Sequence, residues 1–272
     1  MEDMAVALRP GEYFGSVRRR TSVGGVALNE LHHRTARELP EHRHDAPYFC
    51  LLLSGDYVEQ VGHREISYRP YSTGFHPQHL THRDRVGRNG ARFFTVEFPS
   101  EWLQAAAALR SSAGLEPSLL EGDLAVSAVK LYRQHLQGTL TGEGAESIIW
   151  ELLECVIRGH RITDASKPRW LERCIDLLHA EFSRPLTVAG VAAAVDVHPV
   201  HLSREFRRRF GQTVGEYLHR LRVRSACAQM EAGRPLGDIA LAAGFYDQSH
   251  FSRVFKRLIG CAPGRFRRLA LE

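Results

Sequence analysis

The sequence has 272 residues, of which 43 % are hydrophobic. That is enough to form the cores of one large domain or two ordinary ones, and it excludes wholesale disorder. No apolar run reaches the roughly 18 residues that a membrane helix needs, and the first ten residues lack the apolar stretch of a secretory signal. Five scattered cysteines without a CxxC pair favour a reducing cytosol over a disulfide framework or a zinc finger. We therefore expect a cytoplasmic protein without membrane contact.

Positive charge is concentrated at the C-terminal end of the chain. Residues 168–272 contain 17 Lys and Arg against 10 Asp and Glu, a net charge of +7. The preceding residues contain 19 basic and 21 acidic side chains, a net charge of −2. A basic domain joined to a near-neutral one suggests a polyanionic ligand, although a solvated, arginine-rich face gives the same composition.

Residues 16–98 are predicted to form β-strands. Polar and apolar residues alternate along 93–98 and 65–69, the period of a strand with one buried face. Turn signals recur between short runs, at Ser54-Gly55-Asp56, Val61-Gly62, Arg69-Pro70 and Asn89-Gly90. Short strands with turns at about 8–12-residue spacing are typical of a sandwich or barrel.

Three helical patterns follow the strands. Ser100 is a plausible N-cap for a helix over 101–110, and residues 145–158 form a helix with a broad apolar face. Between them, four apolar residues fall on one face, at Leu120, Leu124, Ala128 and Leu131. We expect segments 101–111 and 120–158 to form a dimer interface, with packing on their own barrel as the alternative. The polar, proline-containing stretch 158–169 is predicted to be a linker.

The C-terminal part contains an internal repeat. Residues 201–217 match residues 250–266 at an offset of 49, and residues 188–195 match residues 236–243 at an offset of 48. The one-residue difference falls in the turn between the matched segments, where an insertion disturbs the fold least. Seven residues of the first copy recur in the second, namely His201, Ser203, Arg204, Phe206, Arg208, Gly211 and Gly215.

Each copy is predicted to be a helix, a tight turn and a second helix. Thr187 and Gly237-Asp238 supply start signals, and the turns fall at Asp196 and Gly244, residue types that tolerate positive φ. Apolar pairs at i, i+4 spacing anchor each second helix in the core, namely Leu202 with Phe206 and Phe251 with Phe255. Gly211 and Gly260 are placed as C-terminal stops.

Two such units are typical of DNA recognition, because an α-helix fits the major groove. Early residues of the second helices are the candidates for base contacts, namely Val200, Ser203, Arg204, Gln248, Ser249 and Arg253. Basic residues further along are candidates for phosphate contacts, namely Arg207, Arg208, Lys256 and Arg257. A plain helical repeat with a basic surface is the alternative interpretation.

Residues 170–269 resemble the DNA-binding domain of the AraC family of transcription regulators. The resemblance is carried by residues 185–211 and 244–268, with Asp196 standing where the family usually has Gly. It implies two helix-turn-helix subdomains joined by a long helix over about Gly215 to Glu231, and recognition helices spaced for two successive major grooves. It also implies double-stranded DNA and RNA polymerase as partners.

The N-terminal region resembles a cupin-like barrel, which regulators of this family often carry for effector binding or dimerisation. Residues 40–55 are similar to the first cupin motif and residues 68–84 to the second. The motifs place His42, His44, and His82 or His79 near one end of the barrel, but the carboxylate position falls near Tyr48 or Phe49, so that ligand is missing. Two interpretations stay open: the histidines bind a divalent metal, zinc or nickel, or they are hydrogen-bonded remnants of the pattern.

The sequence therefore predicts an α+β protein of two domains. Residues 1–157 form a cupin-like sensor and dimerisation domain with flanking helices, residues 158–169 a linker, and residues 170–272 an all-α DNA-binding domain. Its helix-turn-helix units cover about 187–211 and 236–260. We expect a transcription activator or repressor that is controlled by a small-molecule effector, forms a homodimer, needs no cofactor and has no catalytic residues. The alternative is a metal-dependent cupin enzyme with a nucleic-acid-binding tail.

Overall fold

A computed structural model of the chain describes residues 5–108, 118–120, 123–162, 168–230 and 233–271. The chain divides into two compact units, Met1–Ile157 and Arg158–Glu272. The first contains the sheet and the second is helical, which confirms a mixed protein with an N-terminal sheet domain and a C-terminal helical region. Within the described ranges, no helix combines the length and apolar character needed to cross a bilayer.

The N-terminal unit is built mainly of β-strands. In chain order they are β1 (Val6–Leu8), β2 (Ser16–Val23), β3 (Val26–His33), β4 (Arg37–Glu38), β5 (His42–His44), β6 (Tyr48–Val61), β7 (Arg64–Tyr68), β8 (Thr73–His76), β9 (Arg83–Glu97) and β10 (Ser118–Leu120). One sheet runs in the order β10-β8-β6-β9-β3-β2, with β4 beside β9 and β7 beside β6, while β1 and β5 form a separate parallel pair. No pairing joins β10 to β2 among the described residues, so a closed barrel stays a prediction.

Strands β6 and β9 form the longest pairing of the sheet, and two glycines bend it. The pairing covers residues 48–60 and 83–97, with register shifts on both sides of Gly55. Gly55 and Gly90 have φ of +92° and +68°, and a Cβ on Gly55 would collide with the Gly90 carbonyl oxygen. The chain reversals predicted at these two glycines are therefore wrong. Instead, both glycines lie at irregular positions within two continuous strands, where the backbone adopts positive φ.

The helices of this unit are α1 (Ser100–Ala108), α2 (Asp123–Gln137) and α3 (Gly142–Ile162). The predicted first helix agrees with α1 as far as residue 108, and its last two residues lie outside the described residues. Leu120 does not belong to the second helix, because β10 pairs antiparallel with β8 and sets Leu120 opposite Thr73. Pairing with an available sheet edge overrides the local helical pattern there.

The apolar faces of α2 and α3 are covered by their own chain. Leu131, Leu152 and Leu153 are fully buried, and the rings of Tyr132 and Phe94 lie 5.1 Å apart, centroid to centroid. α2 contacts β6, β8 and β10. Of the two expected arrangements, packing on the sheet is seen for α2, and dimerisation through these segments stays a prediction.

The C-terminal unit is a set of short helices around one long one. They are α4 (Arg169–Glu181), α5 (Val188–Ala194), α6 (Pro199–Phe210), α7 (Val214–Met230), α8 (Leu236–Ala242), α9 (Gln248–Ile259) and α10 (Pro263–Leu271). The predicted long helix corresponds to α7, and Glu231 lies outside the described residues. α7 contacts α6, α8 and α9.

The predicted linker, residues 158–169, begins where the chain divides into its two units, but helices overlap both of its ends. α3 continues to Ile162 and α4 begins at Arg169, while residues 163–167 lie outside the described residues. Residues 158–162 contain no proline, so the helix can propagate through them with one hydrogen bond added per residue. Pro168 then stands immediately before α4, where a missing N–H costs least.

Candidate nucleic-acid interface and a buried histidine cluster

The first helix-turn-helix unit consists of α5, the turn at Asp196, and α6. The Thr187 hydroxyl accepts a hydrogen bond from the Gly190 N–H at 3.0 Å and caps α5. Asp196 has φ +58°, the left-handed conformation that the turn requires and that Asp tolerates better than most residues. Pro199 then occupies the first turn of α6, and Gly211 ends the helix with φ +70°.

The second unit consists of α8, the turn at Gly244, and α9. Gly244 has φ +85°, and the Asp247 carboxylate accepts a hydrogen bond of 2.6 Å from the His250 N–H, which caps α9. Gly260 ends α9 with φ +88°. Asp238, predicted as part of a start signal, lies in the first turn of α8, where a negative charge suits the helix dipole.

Both second helices are held in place by the predicted apolar anchors. Leu202 and Phe206 on α6, and Phe251 and Phe255 on α9, are all fully buried. Residues at i and i+4 share one face of a helix. Burying that face leaves the opposite face of each helix free to meet a ligand.

All six residues predicted to contact bases are exposed. They are Val200, Ser203 and Arg204 on α6 and Gln248, Ser249 and Arg253 on α9. Val200 exposes 68 % of its surface, although it is apolar. The Ser203 hydroxyl donates to the Pro199 carbonyl at 2.9 Å. The exposed face of each second helix therefore begins with uncharged side chains and continues with an arginine.

The residues predicted to contact phosphates are also exposed, namely Arg207, Arg208, Lys256 and Arg257. Sequence reasoning missed that the Glu205 carboxylate pairs with two neighbouring arginines, Arg208 and Arg209. We call these three residues the acidic brace. Arg208 donates two hydrogen bonds to the Glu205 carboxylate, at 2.6 and 2.8 Å, and Arg209 donates a third at 3.1 Å. Hydrogen bonds from Arg208 lower the pKa of Glu205 to about 2. The i, i+3 and i, i+4 spacing of these charges was a signal in the sequence that could have revealed the brace.

A buried arginine, also missed, ties α7 to the end of α4. Arg222 donates to the carbonyl oxygens of Phe182 at 2.7 Å and Arg184 at 2.8 Å, and burial lowers its pKa. These carbonyls follow α4, where helical carbonyls lack partners within the helix. No local pattern distinguishes this arginine from the exposed ones, because its partners lie about 40 residues away in the chain.

In the N-terminal unit, three of the four predicted histidines come together. His42 and His44 lie on β5, and His82 lies beside them because His42 and His82 exchange backbone hydrogen bonds of 2.9 Å. All three are buried, and one ring nitrogen of each lies within 4.8 Å of the others. His79 instead exposes 60 % of its side chain and lies 3.6 Å from Asp45. Of His79 and His82, the structure therefore brings only His82 into the cluster.

Sequence reasoning missed a buried pair next to these histidines. His76 Nε2 lies 2.9 Å from Glu59 Oε1, and the Tyr68 hydroxyl donates to Glu59 Oε2 at 2.8 Å. Burial raises the pKa of Glu59, but the charge and hydrogen bond of His76 outweigh it and hold that pKa at about 2. The alternation of Tyr57 and Glu59 along β6 was the available signal, since both face the interior.

A second missed carboxylate, Asp84 on β9, lies against the cluster. Its Oδ2 is 3.5 Å from His42 Nε2 and 3.8 Å from His82 Nε2. Burial raises the pKa of Asp84 to about 7. The position near Tyr48 holds no carboxylate, as expected from the sequence, but the fold supplies one from a different strand.

The clustered histidines are neutral at physiological pH. Burial lowers the pKa of His82 to about 4 and that of His44 to about 2. It also lowers the pKa of His42. A neutral imidazole has one nitrogen with a free lone pair, which is the form that binds metal ions.

Comparison with known proteins finds a family model within the C-terminal unit and relatives that match part of the chain. A family model described as a helix-turn-helix domain matches residues 191–269. The transcriptional activator RhaR of Klebsiella pneumoniae is 30 % identical over 132 residues, 46 % of this chain and 47 % of that protein. The bifunctional transcriptional activator and DNA repair enzyme AdaA of Bacillus subtilis is 28 % identical, over 37 % of this chain and 48 % of that protein. The chain thus spans about half the length of these relatives.

Among solved structures, the C-terminal domain of AraT, a response regulator from Geobacillus stearothermophilus, is 28 % identical to this chain. The match covers 38 % of this chain and 88 % of that domain, with a TM-score of 0.37.

Two capped helix pairs with buried anchors, together with the family match, make the C-terminal unit a helix-turn-helix domain, a class that binds DNA. The domain is of the type found in the AraC-like and other transcription regulators to which this chain is similar.

Proposed function

We propose that this protein is a sequence-specific DNA-binding transcription regulator whose helices α6 and α9 enter two successive major grooves. One observation carries the proposal. Arg204 and Arg253, which are equivalent in the repeat, are both exposed, while the anchors Phe206 and Phe255, two residues further on, are fully buried. An arginine in this place on a recognition helix is suited to bidentate contact with guanine.

The other predicted contacts follow the same division of roles. On α6, Val200 and Ser203 would meet base edges, with Val200 suited to a thymine methyl group. On α9, Gln248 and Ser249 take that role, since Gln can bind adenine bidentately. Arg207, Arg208, Lys256 and Arg257 would contact phosphates, which fix the position of the protein without reading sequence.

We further propose that the N-terminal unit is a cupin-like sensor domain that controls the DNA-binding unit and supports homodimerisation. The strand-rich sheet, the buried histidines and the resemblance of residues 40–55 and 68–84 to cupin motifs support this proposal. An effector must bind one arrangement of the protein more tightly than another, because equal affinity for both shifts nothing. RNA polymerase would be a further partner, since relatives are named transcriptional activators.

An enzyme with a nucleic-acid-binding tail is the second candidate function, and one observation favours it. Asp84 lies beside His42 and His82, so a carboxylate accompanies the histidines after all, as in metal-dependent cupin enzymes. Dioxygenase assays on the metal-loaded protein, against an Asp84→Asn variant as blank, would discriminate the two. Turnover that the variant lacks would establish the enzyme.

The proposed function is tested by mapping the sites that the protein occupies across the genome and then measuring affinities on one of them. Arg253→Ala should weaken binding by about 1–3 kcal/mol and relax the preference at a single base position. Arg208→Ala should weaken all sequences alike and reduce the dependence of log Kd on log salt by about one unit.

A uniform loss of affinity in both variants, on every sequence tested, would contradict the assignment of base and phosphate contacts. Absence of any preferred site in the genome would contradict the proposed function itself. Arg64→Ala, an exposed arginine of the N-terminal sheet, serves as the matched control and should leave DNA affinity unchanged.

A further inference from the structure

Helix α4 and the chain just after it contact both helix-turn-helix units. We propose that α4 and residues 182–184 form a second bridge between the units, beside α7, which fixes the distance between the recognition helices α6 and α9. Arg222 and Arg173 are its positioning residues. The inference rests on the proposed function, since this distance affects DNA binding only if α6 and α9 read one duplex together.

A shared core fixes α4 to the first unit. The buried residues Leu171, Cys174 and Leu178 of α4 belong to one apolar cluster with residues of α5, α6 and α7. His179 Nε2 also lies 2.7 Å from the Tyr217 hydroxyl oxygen on α7. Because protein cores are close-packed, α4 and the first unit move as one body.

The start of α4 contacts the first unit where its chain turns towards the recognition helix. Arg173 donates to the Val195 carbonyl oxygen at 3.1 Å, one residue before the turn at Asp196. The rings of Trp170 and His201 lie 5.4 Å apart, centroid to centroid, and His201 is in the first turn of α6. These contacts tie the orientation of α6 to α4.

The chain just after α4 contacts the turn of the second unit. A Cβ added at Gly244 would lie 2.7 Å from the Ser183 Cα and from the Ser183 carbonyl oxygen. Because Gly244 has no side chain, the Ser183 backbone can pack directly on it. Gly244 stands between α8 and α9, so this contact bears on the direction in which α9 leaves the turn.

Arg222 holds residues 182–184 in place from α7. Its side chain is buried, and Nε and Nη2 donate to the carbonyl oxygens of Phe182 and Arg184, one on each side of Ser183. The guanidinium is planar and presents its donors in a fixed geometry, and hydrogen bonds from a charged donor are stronger than neutral ones. Loss of these donors would release residues 182 and 184 from α7 and loosen the contact at Gly244.

Two links restrict the relative movement of the units more than one link does. Units joined by α7 alone could twist about that helix, and long helices also bend. A second link beside the helix opposes both movements. Successive major grooves lie about 34–36 Å apart, so a change of twist or bend would move α9 out of its groove while α6 stays seated. The second bridge therefore favours one spacing of two half-sites, because less freedom is lost on binding.

The first test measures the spacing preference of the full chain on duplexes that carry a preferred genomic site. One duplex has the native spacing, a second has one base pair inserted between the half-sites, and a third keeps only the half at which Arg204→Ala relaxes the base preference. Wild type should prefer the native spacing to the insertion on the order of 30-fold, a usual size of coupling between two sites. In Arg222→Met this preference should fall to about 3-fold, while affinity for the single half-site stays close to that of wild type.

Two further variants sharpen this test. Arg222→Lys keeps the charge but not the paired donors, so its spacing preference should lie between those of wild type and Arg222→Met. Arg169→Gln, at an exposed position of α4, is the matched control. Its loss of charge weakens binding to all duplexes alike and should leave the ratio between the two spacings unchanged.

The second test needs no DNA. Spin labels on Ser203→Cys in α6 and Ser249→Cys in α9 report the distance between the recognition helices by electron double resonance, in labelled chain diluted with unlabelled chain. Four of the native cysteines are buried, and Cys155→Ser removes the half-buried one. Arg222→Met should broaden the distribution of distances, and Arg169→Gln should not.

Circular dichroism checks that each variant folds. If Arg222→Met does not, Arg173→Gln decides the matter, since it breaks the contact at the other end of α4 and should also lower the spacing preference and broaden the distribution. An unchanged spacing preference or an unchanged distribution would overturn the proposal. So would equal losses on all three duplexes, which indicate a role in overall stability alone. Absence of any preferred site for wild type would instead contradict the proposed function, and the spin-label distances would then still decide whether the bridge exists.

Discussion

The two helix-turn-helix units have the same internal plan but different exteriors. Each second helix is anchored by an apolar i, i+4 pair and ends at a glycine with positive φ. The acidic brace, however, exists only in the first unit, because the position equivalent to Glu205 is the buried Val254 in the second. The comparison teaches that the repeat preserves what holds the backbone, while the surface that would meet DNA is free to differ.

The turns show the same contrast. Asp196 and Gly244 both adopt positive φ, yet their surroundings differ. Asp196 is exposed, whereas a Cβ at Gly244 would lie 2.7 Å from backbone atoms of Ser183. A side chain is therefore tolerated in the first turn and excluded from the second.

The largest effects should come from the anchors, and they should be equal in the two units. Phe206→Ala and Phe255→Ala should each reduce the free energy of unfolding by about 3–5 kcal/mol, because each leaves a cavity in a fully buried place. Urea denaturation followed by circular dichroism measures this. Val200→Ala, at an exposed position, serves as the control and should change the free energy of unfolding by about 0.5 kcal/mol or less. A small loss for only one of the two phenylalanines would show that the units are not anchored alike.

The turn residues should separate the units. Gly244→Ala should reduce the free energy of unfolding by about 3 kcal/mol, since it combines an unfavourable φ with a backbone clash. Asp196→Ala, at a similar φ but in open surroundings, should cost about 1 kcal/mol. Thermal unfolding of the two variants side by side gives the comparison, and equal losses would argue against the close approach of Ser183 to the second turn.

The N-caps of the two recognition helices should differ less. Asp247→Ala should cost about 1 kcal/mol, because it removes a hydrogen bond of 2.6 Å to a helix N-terminus. His198→Ala should reduce the free energy of unfolding by only a few tenths of a kcal/mol. Its ring nitrogen accepts from the Val200 N–H over 3.3 Å, which makes a weaker hydrogen bond. If the histidine variant proves the less stable in urea, this ranking of the caps is wrong.

The smallest expected effect is a change in DNA affinity when the acidic brace loses its carboxylate. Glu205→Gln removes a negative charge from the exposed basic helix and weakens its hold on Arg208 and Arg209. Binding to DNA of arbitrary sequence should tighten at low salt and depend more steeply on salt. Fluorescence anisotropy over a salt series measures this, with Glu181→Gln, whose carboxylate pairs with Arg184 at the end of α4, as control. An unchanged salt slope would show that the brace does not limit phosphate contact.

Much of the C-terminal unit could be predicted from the sequence because its signals are local. The turn at Asp196, the stops at Gly211 and Gly260, and the burial of Phe206 all follow from φ preferences and from i, i+4 spacing within a single helix. A repeat strengthens such predictions, since each copy tests the other. Arg222 escaped prediction because its partners are distant in sequence.

The N-terminal unit was harder because strand pairing joins distant residues. The same glycine signal that marks a turn placed Gly55 and Gly90 inside continuous strands, since only the partner strand decides between a turn and a bulge. The Asp84 carboxylate lies beside His42 and His82 in space, which sequence spacing does not reveal.

The sequence by itself determined the helix-turn-helix repeat, the cap at Thr187, the glycine stops and the exposed arginines, because these depend on contacts within a few residues of one another. Only the tertiary structure decided which histidines meet, which carboxylates join them, and that α2 packs on the sheet of its own chain. Those outcomes depend on the register between strands, and a register is fixed by packing across the whole unit rather than by any one segment.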